Sequence, residues 1–119
     1  MAAPNIVNVA TINGKTAVAN VSTVAADIVT NSAASGKVFK INSLVVSNID
    51  GTSAADITAS LYRSSFEYKL VHTISVPADA ALVVISKDTS IYLEEGDSIR
   101  VTASANGDLQ AVCSYEEIS

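Results

Sequence analysis

Apolar residues recur at every second position through much of this chain. Ala55, Ile57, Ala59 and Leu61 alternate with Asp56, Thr58, Ser60 and Tyr62. Phe66, Tyr68, Leu70, His72, Ile74 and Val76 alternate with Glu67, Lys69, Thr73 and Ser75. Ile99, Val101 and Ala103 alternate with Ser98, Arg100, Thr102 and Ser104. A period of two is that of a strand with one buried and one wet face. Two further runs are apolar on both faces. Val38–Ile49 carries Phe39, Ile41, Val45 and Ile49 in one phase and Leu44 and Val46 in the other, which predicts a strand covered on both sides. Ala80–Ile85 is continuously apolar and reads as a central strand. Ile91–Leu93 and Leu109–Ile118 read as a short strand and a closing strand.

Turn chemistry separates these runs. Asp50-Gly51, Arg63–Ser65, Pro77–Asp79, Glu94–Asp97 and Asn106-Gly107 each stand between two of them. Near the start, Asn13-Gly14 lies between Asn5–Ile12 and a run that begins at Lys15. Asn-Gly supplies the positive φ of a type I′ turn, so the spacing predicts an N-terminal β-hairpin. The apolar phase then changes from Ala17, Ala19 and Val21 to Val24, Ala26 and Ile28, which predicts a bulge, a bend or a new strand near Ser22-Thr23. The small-residue loop Asn31–Gly36 closes this part. The expected organisation is a single domain, with a β-hairpin arm over residues 1–33 on or beside a β-sandwich body over residues 34–119. About nine strands at intervals of roughly 8–12 residues make an all-β antiparallel sandwich, jelly-roll-like, because each half-polar sheet must bury its apolar face on another.

Composition narrows the function. Hydrophobic residues make up 49% of the 119, but aromatic residues only 5%, with no tryptophan. The core must be aliphatic, and a pocket lined with aromatic rings is not available to stack a sugar or a cofactor. The net charge is −5 and falls entirely in the second half. Without clustered Lys and Arg, neither nucleic acid nor an anionic membrane is an expected partner. No apolar run approaches the ~20 residues of a membrane helix. The opening MAAPNIVNVA lacks the basic and apolar regions of a secretory signal, so synthesis in a reducing cytoplasm is expected. Both chain ends are expected to be held in place.

Candidate chemistry is thin. Gly14-Lys15-Thr16 matches the end of a phosphate-binding loop, but the glycine required five positions earlier is Val9. His72, the single histidine, lies in the apolar phase of its strand and reads as structural or interfacial. Cys113, the single cysteine, reads as a buried inert thiol. Glu94, Glu95 and Asp97 crowd around Gly96 and offer oxygen ligands for Ca²⁺, though not in the order of a calcium loop. The alternative is a solvated turn in which Gly96 takes positive φ and Asp97 accepts a backbone hydrogen bond. No catalytic, cofactor-binding or metal-ligating residue is assigned, and no cofactor is expected. The N-terminal stretch is apolar on both faces and nearly uncharged, which makes Ile6, Val7, Val9, Ile12, Val18 and Val21 the candidate interface residues.

One segment carries a resemblance. In VPADAALVVISKDTSIYLEEGDSIRVTASANGDLQAVCSYEEIS, the residues Leu93, Glu95, Gly96, Asp97, Ser98, Ile99 and Val101 form a pattern that resembles the C-terminal half of small virion structural proteins of tailed bacteriophages. The stretches VFKINSLVVSNIDGTSAADITASLYR and MAAPNIVNVATINGKT extend the similarity to such proteins of marine cyanobacterial myophages. The resemblance implies a non-enzymatic β-sandwich in the virion. Its partners would be copies of itself, as a homo-oligomer and most often a trimer, and other virion proteins such as the major capsid protein. A capsid decoration or cement protein is the leading expectation. The alternatives are a neck, tail or fibre accessory protein, or a carbohydrate- or Ca²⁺-binding module using Glu94–Asp97.

Overall fold

A computed structural model describes residues 5–119, which form nine strands and one short 3-10 turn. The strands are β1 (Ile12–Val21), β2 (Ala26–Thr30), β3 (Val38–Asn48), β4 (Ala55–Arg63), β5 (Phe66–Val76), β6 (Ala81–Ile85), β7 (Ile91–Leu93), β8 (Ser98–Ala103) and β9 (Leu109–Ile118). The turn spans Lys87–Thr89. One sheet has the order β1-β9-β3-β6, with β7 also paired to β3, and the other has the order β2-β8-β4-β5. Every pairing is antiparallel. This is the two-sheet jelly-roll arrangement that the strand spacing predicts.

The inner faces interdigitate as an aliphatic core. Ile41, Leu44, Val46, Ala111, Cys113 and Leu93 from the first sheet meet Ile57, Ala59, Ile99 and Val101 from the second, all buried. In β4 and β8 the predicted apolar phase faces the core, with Ala55, Ile57, Ala59, Ile99, Val101 and Ala103 buried, but Ser60 and Ser98 of the polar phase are buried as well. In β3 the phase is broken by a bulge at Asn42, where the register with β9 shifts between Ile41 and Ser43. The extra residue moves Leu44 and Val46 onto the same inner face as Phe39 and Ile41. The two-sided apolarity of the sequence is therefore one buried face read across a phase change, a correction to the expected double cover.

Two further expectations are corrected. Asn13-Gly14 makes no turn. Both residues lie inside β1, opposite Glu117 and Glu116, and the register with β9 runs unbroken from Ile12↔Ile118 to Val21↔Leu109. Ten consecutive pairings with β9 outweigh one local I′ preference, so no N-terminal hairpin forms. Likewise β6 pairs only with β3 and is an edge, not a central strand. β1 and β2, from the expected arm, each pair with a strand of the expected body, β9 and β8. At the C-terminus, Ser119 and Thr11 exchange backbone hydrogen bonds of 2.9 Å, which holds that end in place. The same expectation for the N-terminal end lies outside the described residues.

The β4–β5 hairpin carries a local strain. Ser64 and Ser65 form its two-residue loop with φ of 53° and 66°, the type I′ conformation that favours Asn-Gly. An L-residue in this region costs about 1–2 kcal/mol. Replacing the pair by Asn-Gly (Ser64→Asn with Ser65→Gly) is expected to stabilise the chain by about 1 kcal/mol, read as a higher midpoint in urea with an unchanged slope.

Candidate functional site

The acidic turn between β7 and β8 is a clamp. Gly96 takes a φ of 89°, and the Asp97 Oδ2 accepts the Glu94 backbone N–H at 2.9 Å, as the turn reading expects. What the sequence reading missed is Arg63 at the end of β4. Its Nε donates to Asp97 Oδ1 at 2.8 Å and its NH2 to Asp97 Oδ2 at 2.5 Å, with a further bond to Glu94 Oε2 at 2.8 Å. Asp97 pushes the Arg63 guanidinium further above its already high range. The Asp97 side chain is only 3% exposed, so the carboxylate half of this fork-to-fork pair is desolvated while the guanidinium keeps contact with water. Glu95 is also engaged, accepting the Gly36 N–H at 2.9 Å. A guanidinium thus stands where a calcium ion would need the Asp97 oxygens. Among the described residues no group of three His, Cys, Asp or Glu side chains is placed to hold a metal.

A second ionic cluster seals the same end of the sandwich. Glu117, on the inner side of β9, accepts from Lys15 of β1 at 2.6 Å and from Lys37 in the loop before β3. Lys15, and then Lys37, hold the Glu117 carboxyl below the ordinary glutamate range. A depressed folded-state pKa adds stability that is fully present above the unfolded value of about 4.3 and is lost as pH falls through the folded value. Acid unfolding of the Glu117→Gln variant is therefore expected to be less steep below about pH 4 than that of the wild-type chain. Circular dichroism during an acid titration reads this, and equal slopes would contradict it.

The other candidates are dispersed. His72 is exposed, at a bulge of β5 where the register with β4 shifts and Thr73 takes a φ of 48°. Cys113 is buried in the core, and burial pushes its thiol up to about 12. Of the six candidate interface residues, Val21, the last residue of β1, is buried in the core and Val9 is half-buried. Ile6, Val7, Ile12 and Val18 are exposed, Val7 by 90% and Val18 by 74%.

The outer faces of the two sheets differ in kind. Across the second sheet runs a polar row, Asp27–Arg100–Ser60–Lys69. Asp27 accepts from Arg100 at 3.0 Å, Ser60 donates to Glu67 at 2.8 Å, and Arg100 covers the Tyr62 ring at 3.6 Å. Across the first sheet the equivalent row is apolar, Val18–Val112–Val45–Val83. It is flanked by the uncharged rows Asn20–Gln110–Ser47–Ala81 and Thr16–Ser114–Ser43. The sequence pattern alone points to Val18 and not to its three companions. They lie on strands far apart in the chain, and only the cross-strand register brings them into line.

No protein-family model matches the chain, and no curated protein sequence does. Solved structures do. One is a chain from the disulfide-linked pili of Bacillus endospore appendages, with a TM-score of 0.54 at 16% identity over 92% of this chain and 87% of that one. Another is a chain from the acid-stable capsid of the Helicobacter pylori bacteriophage KHP30, with a TM-score of 0.51 at 5% identity over 94% and 90%. At these identities the likeness is one of fold: two stacked antiparallel sheets spanning nearly the whole of each chain.

Proposed function

We propose that this chain is a non-enzymatic structural protein of a phage virion, a homo-oligomer that decorates the capsid. The observation that carries the reading is the row of four valines on the outer face of the first sheet, set between two uncharged rows, with the charges of that face, Glu116 and Lys40, confined to the next row. Single exposed apolar residues are ordinary on a protein surface, but an aligned row between two uncharged rows is a contact surface. The fold shared with a phage capsid chain and a pilus chain supports an assembling role. The exposed Ile6, Val7, Ile12 and Val18 would bridge to a neighbouring copy or anchor on the capsid. A copy number of three comes from the sequence resemblance alone. The copies meet without a disulfide, because the one thiol is buried.

The test is direct. Particles purified from the source culture on a density gradient are analysed by mass spectrometry, and an antibody to the chain is located by immunogold electron microscopy. Label distributed over the capsid is the expected result. Absence of the chain from the particles, or label confined to the tail, overturns the reading.

A further inference from the structure

The jelly roll has four exposed edges, and three of them are blunted. β5 is long, but its register with β4 shifts twice, Thr73 sits at positive φ, and Glu67 and Lys69 charge it. β2 has five residues, a register shift and Asp27. β6 and β7, which share one side of β3, have five and three residues. Short length, bulges and charges are the devices by which natural sheets prevent strand pairing between molecules. β1 has neither short length nor a bulge. It is ten residues long and unbroken in register, and contains no proline. Its one charge, Lys15, is drawn to Glu117 on the inner side. Among the described residues no strand lies on its outer side.

We propose that β1 pairs antiparallel with β1 of a second copy about a two-fold axis at Val18, merging the two first sheets into one. Cross-strand partners must share a face, and about Val18 each does: Lys15 opposes Val21, Thr16 opposes Asn20, Ala17 opposes Ala19 and Val18 opposes itself. Pairing about Lys15 instead would set two ammonium groups face to face. The Val18 register also runs the two valine rows together into a single row of eight, so the apolar stripe and the bare edge serve one contact. The paired edge is about 24 Å long. It covers roughly 300–400 Å² per copy, below the ~1,000 Å² in total that a stable specific interface buries. The pair is therefore weak in dilute solution and gains strength where copies are already held side by side. The inference rests on the self-assembly in the proposed function and not on its place in a virion.

Two measurements on the full chain test it. Val18→Cys and Val83→Cys variants, at the two ends of the same exposed row, are oxidised mildly and followed on non-reducing gels. Val18→Cys is expected to form a covalent dimer at least tenfold faster, because only it lies on the axis. Light scattering at about 1 mM then compares the wild-type chain with Val18→Lys, whose charge sits on an exposed position and leaves the core intact. The wild-type mass is expected to approach two copies and the variant to remain at one. Equal cross-linking rates, or a variant mass equal to the wild-type mass, overturn the inference. A chain present on capsids but without Val18-dependent pairing would sink this inference alone. A chain with such pairing but absent from virions would sink only the proposed function.

Discussion

Asp97→Ala is expected to lower the unfolding midpoint by roughly 10 °C. The substitution removes the carboxylate that takes both arms of the Arg63 fork, and it orphans the Glu94 N–H that the same carboxylate accepts. Breaking a buried ion pair from one side costs about 3–5 kcal/mol. The lower end applies here, about 3 kcal/mol, because the Arg63 side chain is 41% exposed and keeps Glu94. Arg63→Lys separates geometry from charge. A lysine restores a cation but not the fork, so it is expected to recover only part of the loss. Calorimetry of the two variants checks this, and an Asp97→Ala midpoint within 2 °C of wild type, roughly half a kcal/mol, would show that the pair is not a clamp.

Asn31→Ala is expected to cost a similar amount, about 3 kcal/mol. Asn31 is fully buried in the loop after β2. Its amide donates to the carbonyls of Lys37 and Leu93, each at 3.0 Å, and its Oδ1 accepts from Ser35 at 2.5 Å. The backbone of the same residue bonds Asp97 O at 2.9 Å and accepts from Gly96 at 2.7 Å. One side chain thus ties the β2–β3 loop to the acidic turn. Alanine takes the amide donor from two carbonyls and the acceptor from the Ser35 hydroxyl, whose oxygen still accepts the Lys37 N–H, in a space too polar to collapse. Urea unfolding should show a lower midpoint with little change in slope. If Asn31 and Asp97 hold one unit, the double variant loses less than the two single losses added together.

The strand bounds were legible: β5, β7 and β9 begin and end where the turn residues mark, and the apolar phase of β4 and β8 faces the core. The alternation of β5 is a correction, because the bulge at His72-Thr73 breaks its phase and Phe66, Tyr68 and Ile74 are exposed at the edge of the sheet. The sequence misled at Asn42, because a bulge inserts one residue and imitates a strand buried on both sides. It misled at Asn13-Gly14, because a local turn preference of the order of a kcal/mol cannot compete with ten pairings to a strand nearly a hundred residues away. The acidic turn was read correctly in its backbone and incompletely in its partners, since Arg63 lies on another strand. The valine row was out of reach for the same reason: Val18, Val45, Val83 and Val112 become neighbours only through the register of four strands. An interface is a property of aligned faces, and alignment is set by tertiary pairing.

Under the proposed function the two outer faces would orient each copy in an assembly. The second sheet carries a polar row on its outer face, with the arginine over Tyr62, and exposes Phe66, Tyr68 and Ile74 only along its β5 edge. The first sheet, with its uncharged rows and bare β1 edge, is suited to other protein. Light scattering coupled to size exclusion, on the wild-type chain over a wide concentration range, tests this most directly. An assembling chain gives a mass above one copy that rises with concentration. A mass of one copy up to about 1 mM, where even weak specific contacts populate, would contradict self-assembly through this face.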